Sequence, residues 1–114
     1  MSVEKKMDGT IVYRDENGEL HREDGPAVIG VGGHEAWMRH GYRHREDGPA
    51  IIDTREGYRE WWVDGELHRE DGPAIEYDDG YKEYWHHGVE IPEDRLGKGP
   101  LPDDGVLVFH EEIV

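Results

Sequence analysis

The heptapeptide His-Arg-Glu-Asp-Gly-Pro-Ala stands at residues 21–27, again at 44–50 and again at 68–74, without a single change. Its copies start 23 and 24 residues apart, so a repeat of that length organises the chain. The flanks repeat with it. After each Ala comes an apolar pair or alternation: Val28-Ile29, Ile51-Ile52, Ile75-Glu76-Tyr77. A glycine turn follows (Gly32-Gly33, Glu56-Gly57, Asp79-Gly80), then an aromatic segment (Trp37-Met38, Trp61-Trp62, Tyr84-Trp85), then a second glycine at 41, 65 and 88.

The ends carry degenerate copies. Asp8-Gly9 opens a leading unit with Ile11, Val12 and Tyr13, and Asn17-Gly18 closes it one residue late, which points to a bulge. At the other end Val89-Glu90-Ile91-Pro92-Glu93 replaces the expected heptapeptide. Atypical outer copies suit a repeat stack, whose end faces meet water. The expected organisation is an N-terminal extension over 1–7, a repeat domain over 8–91, a Gly/Pro-rich linker over 92–105 and a C-terminal strand or tail over 106–114.

No stretch places apolar residues at helical spacing over ten positions, and Gly or Pro interrupts every segment. Short β-branched and aromatic runs between Asp-Gly, Asn-Gly and Glu-Gly pairs are hairpin signals. The fold class expected is mainly β: an antiparallel meander of β-hairpin repeats, about three full units plus caps, in a single-layer or open solenoid-like sheet. Glu-Asp-Gly-Pro either reverses the chain or kinks one long strand. Identical loops in identical settings favour the kink, with two strands per unit, and a proline without a ladder donor suits a bulge or edge.

Period-two alternation assigns the faces. One carries Trp37, Trp61 and Tyr84; the other carries Met38, Trp62 and Trp85 flanked by Tyr58 and Tyr81. A single layer cannot bury both. The second face is covered by the tail or another subunit, or it stays open for a partner.

The aromatic pair, two residues, Gly, two residues and the heptapeptide together resemble the MORN-variant hairpin repeats of bacterial and phage proteins. The matching stretches are 37–50, 61–74 and, less fully, 13–27; the likeness covers about residues 8–91. It implies a β-hairpin array that binds other molecules, commonly proteins, in phages, prophages and bacteria, with antitoxin-like labels on some relatives. It implies no catalytic residues.

Composition excludes several classes. The 114 residues suffice for one domain. Fewer than one residue in five is Leu, Ile, Val or Phe and the net charge is −15, a balance typical of disorder. Four Trp and six Tyr weigh against that, because each ring can bury roughly 150–250 Å². Without cysteine there are no disulfides, thiolate zinc sites or cysteine nucleophiles. No apolar run is long enough to span a membrane, and the start lacks a signal peptide's apolar core, so a cytoplasmic setting is expected. At a pI near 4.7 the surface repels phosphates; direct nucleic-acid binding is not expected, and a protein partner with a basic surface is.

The three heptapeptides invite a metal reading, but equivalent histidines of two-strand units stand about 9–10 Å apart, from a strand spacing of roughly 4.8 Å. They cannot share one zinc, whose nitrogen ligands lie at about 2.0–2.1 Å. The expected roles are structural: Asp closing an Asx-type turn, Gly at positive φ, Arg pairing with Glu across strands. His86-His87, beside His40 and His110, could form an accidental metal site but read as solvated turn residues. Ser2 is the only serine, no nucleophile constellation can be assembled, and no phosphate loop is present. No enzymatic activity, cofactor or metal is expected.

The function expected is a non-enzymatic protein-binding repeat module; in the setting the resemblance implies, it is a phage- or prophage-encoded inhibitor of a bacterial defence or toxin protein. Tyr58, Trp62, Tyr81 and Trp85 are the expected anchors, with Asp78 and Asp79 on the rim. Two alternatives stand beside it. Rows of paired carboxylates could mimic nucleic acid and block a DNA- or RNA-binding protein. Aromatic faces of two subunits of a homo-oligomer could enclose a small molecule, as a sponge, or the chain could serve as a structural module of a virion or larger assembly.

Overall fold

The computed structural model describes residues 1–92; the expected linker beyond Pro92 and the C-terminal strand lie outside these residues. Among the described residues there are thirteen short strands and no helix: β1 (Ser2–Lys5), β2 (Ile11–Arg14), β3 (Val28–Ile29), β4 (His34–Ala36), β5 (Met38–Arg39), β6 (Tyr42–Arg43), β7 (Ile51–Asp53), β8 (Tyr58–Glu60), β9 (Trp62–Val63), β10 (Glu66–Leu67), β11 (Ile75–Tyr77), β12 (Lys82–His86) and β13 (Val89–Ile91). Nine of them form one open antiparallel sheet in the order β1-β2-β3-β4-β7-β8-β11-β12-β13. The N-terminal extension is itself part of it, since β1 pairs with β2 from Ser2↔Arg14 to Lys5↔Ile11.

The heptapeptide kinks the chain and does not reverse it. Within residues 58–63, Trp62 and Val63 pair with Leu67 and Glu66, while Tyr58, Arg59 and Glu60 pair with Tyr77, Glu76 and Ile75. Both partner strands therefore run the same way beside one continuous stretch. Trp61 is the pivot: its N–H donates to the Ala74 carbonyl at 2.7 Å and its carbonyl accepts from His68 N–H at 3.0 Å. Residues 68–73 swing out between those bonds. Trp37 holds Ala50 and His44, and Tyr13 holds Ala27 and His21, in the same way.

Hairpin tips follow their glycines. His40-Gly41, Asp64-Gly65 and His87-Gly88 all have positive φ at both central positions, the turn that matches strand twist. In the closing turn of the leading unit only Gly18 is positive, and the turn from Asp15 to Glu19 holds the extra residue as a glycine bulge.

The interior is thin. Among the described residues the buried apolar side chains are Val12, Ala27, Ala36, Ala50, Ile51 and Ala74, and the three heptapeptide alanines are fully inaccessible. All four tryptophans are only half-buried.

Candidate interaction surface

The heptapeptide builds the joints between units. His21, His44 and His68 are buried, and each Nδ1 accepts a backbone N–H from the next unit's turn: His40 at 3.0 Å, Asp64 at 2.9 Å, His87 at 2.9 Å. Those three donors are, among the described residues, the non-glycine ones at positive φ, so each histidine pins the most constrained point of its neighbour. An accepting Nδ1 leaves the proton of the neutral ring on Nε2, which faces Glu23, Glu46 or Glu70 at 3.2–3.3 Å. Two backbone bonds complete each joint; at the second they run from Arg45 N to Trp62 O and from Gly65 N to Arg43 O. The leading turn has no preceding histidine. Asp15 substitutes, its Oδ1 accepting from Asn17 N and Glu19 N while Oδ2 takes His40 Nδ1 at 2.7 Å, and these bonds, the His40 one foremost, hold its carboxyl below the usual range.

Three roles expected inside the heptapeptide differ in the structure. Gly25, Gly48 and Gly72 are not at positive φ; a Cβ on them would meet the Cζ of Arg22, Arg45 or Arg69 at 2.9–3.0 Å. Glycine is present because the guanidinium lies against it. The Asp side chain closes no Asx turn but accepts from Nε of that arginine, at 3.1, 2.8 and 3.0 Å in turn. The arginine Nη1 reaches the Pro carbonyl of its own kink, and its guanidinium stacks on an aromatic ring: Arg22 on Tyr13 at 4.1 Å, Arg45 on Trp37 at 3.8 Å, Arg69 on Trp61 at 3.9 Å. Cross-strand Arg–Glu pairing falls to Arg59 with Glu76, which also takes Arg69.

The two faces separate as alternation requires. Trp37 and Trp61 carry arginines on one face. On the other, the indole N–H groups of Trp62 and Trp85 donate to Glu60 and Glu83, two residues back on the same side, at 2.8 and 2.9 Å. Tyr58 lies directly across from Tyr77, ring centroids 5.5 Å apart, and Tyr81 meets Tyr77 edge-on at 5.6 Å. Tyr81 is half exposed and its hydroxyl donates to Glu83. Burial and then the carboxylates of Asp53 and Glu60 push the Tyr58 hydroxyl up. Asp79 is exposed and anchors the turn by accepting from Tyr81 N–H. Asp78 does not join this cluster; its carboxylate pairs with Arg59.

Sequence reasoning missed Tyr77 and Arg43. Tyr77 follows from the register that sets it opposite Tyr58. Arg43 stacks over Trp62 at 4.9 Å from a strand of the preceding unit, a contact no local spacing announces. His86 and His87 pack on His68 and not beside His40; the His87 ring stacks on His68 at 3.9 Å. Burial first, then His87 and His86, push the His68 imidazole down. A metal would have to take a His68 nitrogen already committed to the joint. His110 lies outside the described residues.

The fold defines an antiparallel β-hairpin repeat protein. No family model, curated protein or solved structure matches the chain. Among the described residues no helix is long and apolar enough to cross a membrane.

Proposed function

We propose that this chain is a non-enzymatic protein-binding module whose Tyr58, Trp62, Tyr77, Tyr81 and Trp85 face grips a partner with a basic surface. The observation that supports it most is that Trp62 and Trp85 stay half-buried on a face that also carries Glu60 and Glu83. Rings of this kind, ringed by carboxylates, suit anchors that bury fully only on association. The net charge of −15 adds steering toward a positively charged surface. In the bacterial and phage setting implied by the repeat's resemblance, the partner is a defence or toxin protein held inactive by direct binding.

The test is affinity capture from bacterial lysate, followed by titration of the purified partner. Wild type binds, Trp62→Ala with Trp85→Ala does not, and added nucleic acid leaves the complex intact. Displacement by nucleic acid together with steep salt dependence would favour the mimic instead. Its support is the exposure of Glu23, Asp24, Glu46, Asp47, Glu70 and Asp71 at equivalent kinks, although each Asp already binds an arginine.

A further inference from the structure

The three equivalent rings Tyr13, Trp37 and Trp61 each hold a guanidinium from their own unit at 3.8–4.1 Å. Tyr84 is the fourth ring of that row, 23 residues after Trp61. The arginine follows Trp37 and Trp61 by eight residues, and eight residues after Tyr84 stands Pro92. No cation stacks on Tyr84 among the described residues. Tyr84 borders an open cleft of about 520 Å³, with Lys82 and Ile91 on its own face and Tyr81, Glu83 and Glu90 on the other. Glu90 stands directly across from Trp85, on the other face, so what this seat offers a guanidinium is the ring. Lys82 stands two residues before the ring as Arg59 stands before Trp61, and that charge does not keep Arg69 from its indole.

We infer that Tyr84 is an open guanidinium seat, filled by an arginine side chain of the partner protein. It rests on the protein-binding reading for the source of the arginine, and it adds a contact on the face opposite Trp62 and Trp85. Arginine is specified over lysine because a planar guanidinium stacks on an aromatic face, as it does on the three sister rings, better than a compact, strongly hydrated ammonium.

The test uses the full chain and two labelled peptides of alternating cation and glycine, one with arginine and one with lysine, followed by fluorescence anisotropy. The arginine peptide binds about fivefold tighter or more, the size of one partly desolvated cation–π contact. Tyr84→Leu removes that preference, whereas Tyr84→Trp, the residue the second and third units use, preserves or raises it. Equal binding of both peptides overturns the seat. A preference that survives Tyr84→Leu but falls with Trp62→Ala also overturns it, while leaving the proposed function intact. Loss through Tyr84→Leu alone, with Trp62→Ala silent, supports the seat and tells against the face proposed above.

Discussion

His44 Nδ1 accepts the backbone N–H of Asp64, twenty residues later, at 2.9 Å, and Asp64 sits at φ 50°. A side chain of one unit thus holds the tip of the next, at a backbone conformation that non-glycine residues rarely adopt. The same bond links His21 to His40 and His68 to His87, which is why histidine opens every heptapeptide.

His44→Ala therefore removes a buried acceptor and leaves the Asp64 donor without its partner. The expected loss is about 1–3 kcal/mol, the cost of a buried polar group left unsatisfied. Urea unfolding at neutral pH measures it, and a loss indistinguishable from that of an exposed His→Ala change would sink the joint.

Gly48 gives a test with an inverted sign. At a compatible backbone position Gly→Ala usually stabilises by about 0.4–1 kcal/mol. Here the added Cβ meets Arg45 Cζ at 3.0 Å, and moving that arginine breaks its contacts with Trp37, Asp47 and the Pro49 carbonyl. Gly48→Ala destabilises wild type, and becomes neutral or stabilising in an Arg45→Ala background. Additive effects across that double-mutant cycle would contradict the contact.

Ala50 is fully inaccessible and bonded through both backbone groups, its N–H to Glu60 and its carbonyl to Trp37. Ala50→Val inserts volume where none is free and is expected to cost about 1–3 kcal/mol. Thermal melting beside Ile52→Val, a truncation at a half-buried position two residues further on, separates overpacking from generic sensitivity.

The third joint is acid-sensitive. The folded His68 imidazole titrates below its ordinary value because of burial and then His87 and His86. The unfolded chain takes up that proton first, so this contribution is full above about pH 6.5 and falls as pH drops through it toward the folded value. His87→Asp copies Asp64 of the preceding joint and replaces an imidazole with a carboxylate. Urea midpoints at about pH 7 and about pH 5 should fall less in this variant than in wild type; an equal fall refutes the coupling.

Much of the fold was legible because its signals are local. Turn glycines, short β-branched runs and Trp61-Trp62 alternation lie within a few residues, and they suffice for the strands and for the division of rings between faces. The identical copies also favoured a kink over a reversal. The roles of His44, Gly48 and Arg45 were not legible, because each depends on a contact made after folding: an N–H twenty residues away, or a guanidinium filling the space of an absent Cβ. The four expected aromatic anchors fell on one face, but Asp78 was drawn away by Arg59, whose reach across strands no spacing reveals.

Stability and partner affinity of Trp62→Ala and Trp85→Ala, measured on the same samples, test the central claim most directly. Open-face rings predict a loss of about 1 kcal/mol or less in urea unfolding, well under the 3–5 kcal/mol of a core Trp→Ala change, with partner binding abolished. Core-sized destabilisation, with the folded fraction still binding its partner at full affinity, would contradict it.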